Sequence, residues 1–139
     1  MPYSVELLTT EAECDLLLEH NGDQLRTLRH TADGHDYQRE NSTETAAEVA
    51  DELANAESVI TDLTADVATM ADGELKRKRS RELEIATARR NTLRYKQGNQ
   101  GAVAVLERED ALEQTNARIV KAEAFKVAVV ARKAVIAAG

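Results

Sequence analysis

Apolar positions along this chain recur at steps of three and four, the spacing that lines up one face of a helix. The pattern is cleanest between residues 43 and 71. There Ala46, Val49, Leu53, Ala56, Ile60, Leu63, Val67 and Met70 follow one another without a miss. Eight consecutive positions of this kind imply left-handed, coiled-coil-like packing of that face on a neighbour. An earlier register runs Cys14, Leu18, Asn21, Leu25, Leu28, Ala32, His35. Asn21 and His35 weaken it, and Gly22 and Gly34 each cost about 1 kcal/mol relative to Ala inside a helix.

The boundaries come from caps and turn residues. Thr10-Glu11-Ala12-Glu13 reads as a capping box, with Thr10 capping and Glu13 reaching back. Asn41-Ser42-Thr43 reads as a turn that also caps the next helix. Asp72-Gly73 and Gly98-Asn99-Gln100-Gly101 mark two further turns. These signals predict four helices, at about 11–39, 43–71, 74–97 and 102–137, with a possible break of the first at Asp33-Gly34. Short turns between long helices favour antiparallel neighbours. The expected fold is all-α, a single domain over residues 1–139, built as an antiparallel four-helix coiled-coil-like bundle in up-down-up-down order. Two helical hairpins completed by other copies are the alternative.

Composition narrows this without redirecting it. The 139 residues include one proline, one phenylalanine and no tryptophan. Sandwiches and barrels need β-branched or aromatic runs broken by frequent turns, and the chain has neither. No stretch approaches the roughly 18 apolar residues of a membrane span. The opening Met1-Pro2-Tyr3-Ser4 leads to Glu6, without a basic region followed by an apolar one, so a cytoplasmic location is the default expectation. A particle or filament exported without a signal peptide is the other.

Charge is strongly sorted. Residues 1–73 carry three basic and seventeen acidic side chains, and residues 74–139 carry fifteen basic and eight acidic, for a net of −7. The predicted second helix holds only acidic charges, among them Glu48, Asp51 and Glu52. The third opens with Lys76-Arg77-Lys78-Arg79-Ser80-Arg81. The expectation is that this basic run pairs with the acidic helix, or with the acidic face of another copy. Clustered Lys and Arg can also contact phosphates. A neighbouring acidic helix would repel a polyanion, however, and no reading-helix motif accompanies the run, so nucleic acid ranks third among partner classes.

The last helix supplies the candidate interface. Between Ala124 and Ala138 only Lys126, Arg132 and Lys133 are polar. Phe125, Val127, Val129, Val130, Val135 and Ile136 fall on more than one side, whereas a surface helix needs one apolar stripe. The excess predicts a partner, either another copy or another protein.

Chemistry finds little footing. His20, His30 and His35 all lie in the first predicted helix, and none follows a Glu by three, so the di-iron bundle motif is absent. One cysteine, Cys14, on an apolar face reads as a small buried hydrophobe. No glycine fingerprint cradles a phosphate. The expectation is therefore a non-enzymatic structural protein without cofactor, metal or small-molecule substrate: a subunit of a homo-oligomer, filament or larger particle. A small adaptor or chaperone that holds a partner helix is the alternative.

Overall fold

The computed structural model describes residues 3–139; Met1 and Pro2, part of the opening on which the localisation reading rests, lie outside the described residues. The structure is all-helical, with no strand among the described residues. A short 3-10 turn at Val5–Leu7 precedes three long helices: α1 (Glu11–Thr69), α2 (Glu74–Gln100) and α3 (Ala102–Ala138). No helix is long and apolar enough to cross a membrane.

Three helices stand where the sequence predicts four. The turn expected at Asn41-Ser42-Thr43 is helix interior, and α1 runs through it as well as through Asp33-Gly34. Asn, Ser and Thr favour caps but cost well under 1 kcal/mol each inside a helix. Thr43 illustrates the alternative use of a cap residue. Its hydroxyl donates to the Arg39 carbonyl one turn earlier, at 2.9 Å, rather than capping anything. Nothing between Gly34 and Thr69 is a proline or glycine, so nothing there forces a stop.

The true ends are chemically clear. At the start of α1 the Glu13 carboxylate accepts from the backbone N–H of Thr9 and Thr10 at 3.0 and 3.1 Å, and from both threonine hydroxyls. The Glu13 N–H in turn donates to the Thr10 hydroxyl at 3.2 Å. This is the capping box expected from the sequence. Hydrogen bonding from the Thr9 backbone, then from the Thr9 hydroxyl and from Thr10, holds the Glu13 carboxyl below its ordinary value. Its contribution is therefore complete above the usual carboxylate range and is lost as pH falls through the lowered value. Thr10→Ala is expected to cost about 1 kcal/mol, read as a lower denaturation midpoint at neutral pH and a smaller difference from the parent chain in acid.

α2 continues past Gly98 to Gln100 and ends at Gly101. Gly101 is buried, and a Cβ there would collide with the Gln97 carbonyl oxygen. That close approach is what reserves the position for glycine.

The chain divides into two compact units, Met1–Tyr37 with Glu109–Gly139, and Gln38–Arg108. In the first, the early part of α1 packs on the later part of α3. Every position of the register from Cys14 to His35 is buried or half-buried. Asn21 belongs to this seam; it is 3% exposed and donates to the Ala122 carbonyl at 3.0 Å. Opposite it α3 offers Thr115, Ala122 and Val129, buried at a spacing of seven. Lys133 meets Asp15 at 2.6 Å, so the helices run antiparallel.

In the second unit α2 turns back along α1. Val59 and Leu63 border a groove with Glu82, Ile85 and Ala86, and further from the turn Leu53 and Ala56 form a buried cluster with Leu93. This pair is also antiparallel. Along α2, Leu93 is buried, Leu83 and Ala86 are half-buried, and Leu75 is 57% exposed.

Candidate functional site

The basic run sits at the start of α2, and the antiparallel register fixes what it can face. Residues 76–81 lie opposite the last turns of α1, far from Glu48, Asp51 and Glu52. Lys76 pairs with Asp72 in the connecting turn at 3.2 Å, and Arg79 with Glu82 on its own helix at 2.8 Å. Arg77, Lys78 and Arg81 are exposed. The cross-helix pairs are Arg89 with Glu52 and Arg94 with Glu57, both at 3.3 Å. Of the acidic residues named from the sequence, only Glu52 meets a cation of α2. Arg89 and Arg94, later in the same basic helix, meet Glu52 and Glu57 respectively. All four side chains are about half exposed, so each pair is worth at most about 1 kcal/mol. They bias register more than they bind.

The six apolar residues named on the last helix separate into inner and outer groups. Val129 is fully buried. Phe125 is half-buried, with Tyr3 edge-on to its ring at a centroid distance of 5.1 Å, and the two rings line a cavity with Val5, Leu7, Leu8, Leu17 and Val129. Ile136 is half-buried. Val127, Val130 and Val135 are 68%, 48% and 59% exposed.

The segment before α1 covers part of this tail. It reaches the tail of α3 through Arg132, whose guanidinium donates to the Leu8 carbonyl at 2.9 and 3.0 Å and to the Glu6 carbonyl at 3.4 Å. Lys133 turns to Asp15, and that carboxylate holds its ammonium above the ordinary lysine value. Two of the three charges in the last fifteen residues therefore point to neighbours within the unit. Lys126 alone is left exposed.

The remaining chemistry-bearing side chains do not converge. Cys14 is fully buried beneath the seam. His20, His30 and His35 are spread along α1, and among the described residues no group of three or more His, Cys, Asp or Glu is placed to hold a metal ion. The depressions lined mainly by polar side chains, such as the one formed by Asp72, Lys76, Arg77, Ser80, Arg81 and Glu84, are open to solvent. Compared with family models, curated proteins and solved structures, the chain matches none.

Proposed function

We propose that this protein is a non-enzymatic structural subunit that associates with copies of itself. The observation that carries this reading is the surface it leaves open. The chain exposes 9769 Å² at a mass of 15.3 kDa. Two wholly separate folded units of half that mass would together expose roughly 8,600 Å². The excess, about 1,100 Å², is more than the ~800 Å² each partner contributes to a stable protein interface.

The excess has a simple origin. Each unit is built on a helix pair, and a helix pair covers only one face of each member. Leu16, Val59, Ile85, Val103, Leu106, Val120 and Val127 are all at least 47% exposed. Burying such side chains releases about 25 cal/mol per Å², which favours association of these faces. The exposed acids of α1 and the exposed cations Arg77, Lys78 and Arg81 of α2 then influence which faces meet, because charge complementarity sets partner choice more than strength.

The test is light scattering coupled to size-exclusion chromatography, across protein concentration and at low and high salt. The expected result is a mass of at least two chains at micromolar concentration, retained in roughly 1 M salt, where charge pairs are screened to about 3 Å. A 15.3 kDa species at every concentration would overturn the reading.

A further inference from the structure

Asn21-Gly22 is the one Asn-Gly pair in the chain; the other five asparagines precede Ser42, Ala56, Thr92, Gln100 and Ala117. It lies in the interior of α1, although both residues suit a tight turn better than a helix. The packing around them does not require either. Asn21 is 3% exposed, and its Nδ2 donates to the Ala122 carbonyl of α3 at 3.0 Å. Its Oδ1 is buried with no donor among the described residues, and a buried acceptor left unpaired costs free energy. The neighbouring seam positions Cys14, Leu18, Leu25 and Leu28 are apolar. Gly22 is exposed, and a Cβ built there meets nothing within 4 Å. Alanine would fit and would favour the helix.

What the pair has in common is chemistry. Asparagine is a labile residue, because the backbone nitrogen that follows it can attack its side-chain carbonyl carbon. A bond forms between the Gly22 nitrogen and the Asn21 Cγ, closing a five-membered imide. The Cγ–Nδ2 bond breaks, and the amide nitrogen leaves as ammonia with the proton from the Gly22 nitrogen. Water then opens the imide at either carbonyl, giving aspartate or isoaspartate. Glycine suits the attack because it sets no Cβ beside the nucleophile. In the folded chain the step is blocked twice. The helix ties the Gly22 N–H to the carbonyl four residues back, that of Leu18, and the Ala122 carbonyl holds the Asn21 amide. Ring closure requires the backbone at Asn21 to leave helical geometry.

We propose that Asn21-Gly22 is a modification site gated by the α1–α3 seam, closed while the two helices are packed and deamidated once they part. The change runs one way. An aspartate at position 21 only accepts hydrogen bonds, so it sets a carboxylate oxygen against the Ala122 carbonyl oxygen with no proton between them. It also places a charge among apolar side chains, which is costly without a partner. An isoaspartate adds a carbon to the main chain and breaks the hydrogen-bond register of α1. A copy whose seam has stayed open long enough to convert cannot close it as before. The site therefore records opening of the first unit and limits the lifetime of copies that open often.

The test holds the full chain at mildly alkaline pH, in buffer and in guanidinium chloride, for equal times, followed by digestion, peptide mass mapping and enzymatic detection of isoaspartate. In denaturant, residue 21 is expected to convert ahead of the other five asparagines. In buffer its conversion is expected to be at least roughly 100-fold slower, the ratio being set by the opening equilibrium of the unit. Gly22→Ala is expected to slow conversion in denaturant several-fold while raising the denaturation midpoint of the folded chain. Asn21→Asp reproduces one product, and is expected to lose amide-exchange protection along the α1–α3 seam while that of α2 is retained. Equal rates in buffer and denaturant would overturn the gating. Conversion in denaturant no faster at residue 21 than at Asn41 or Asn116 would overturn the site. Seam protection in Asn21→Asp equal to that of the parent chain would overturn the consequence drawn for the seam.

Discussion

Leu93→Ala is expected to cost about 3 kcal/mol, within the 2–5 kcal/mol typical of emptying a leucine site in a core. Leu93 is 2% exposed and forms the buried cluster of the second unit with Leu53 and Ala56. Few other residues stand behind it. Arg90, one turn earlier on the same helix, buries its Nε with no acceptor among the described residues. Whole domains are stable by only ~5–15 kcal/mol, and a helix pair with so small a core belongs at the low end. The loss should therefore fall on residues 38–108, with fast amide exchange along α2. Ile85→Ala is the control: Ile85 is 65% exposed, and its truncation should stay within about 0.5 kcal/mol. Equal effects of the two substitutions on the denaturation midpoint would show that Leu93 does not anchor α2.

The contrast between these two residues also marks what was legible in the sequence. The unbroken register from Ala46 to Met70 is buried or half-buried at every position, because eight correctly spaced apolar residues leave a helix only one face to bury. The register from Cys14 to His35 was read as weakened by Asn21, yet Asn21 is buried through its bond to the Ala122 carbonyl. A side chain–backbone bond across two helices has no signature in spacing. Charge sorting pointed to contact between the acidic and basic segments, and Arg89–Glu52 and Arg94–Glu57 supply it. The basic run at 76–81 was the conspicuous feature, but an antiparallel pair places residues near the turn opposite other residues near the turn. Proximity in sequence to Asp72-Gly73 therefore outweighs charge density. On the last helix, composition revealed an excess of apolar surface. It did not separate inner Val129 from outer Val127, because that division depends on which face α1 and the segment from Tyr3 to Leu8 cover.

The continuity of α1 through Asn41-Ser42-Thr43 gives the second large effect. Ser42→Pro is expected to cost about 3 kcal/mol or more, because a proline inside a helix removes the N–H bond to the carbonyl four residues back, here that of Gln38, and its ring crowds that carbonyl. A proline at the first position of a helix is tolerated, since its missing N–H has no intrahelical partner there. Had the chain turned at 41–43, the substitution would be nearly silent. Alanine at the same position sharpens the distinction by sign. In a helix interior Ser42→Ala should stabilise by a few tenths of a kcal/mol, as serine competes with the helix for its own backbone. At a cap it should destabilise by about 1 kcal/mol, as the side-chain acceptor is lost. Ser42 is half-buried, and the Thr43 hydroxyl is already turned to the Arg39 carbonyl, so the interior values are the expected ones: a large loss with proline and a small gain with alanine, read from chemical denaturation followed by far-ultraviolet circular dichroism. A silent proline together with a destabilising alanine would restore the turn at 41–43 and, with it, four helices in place of three.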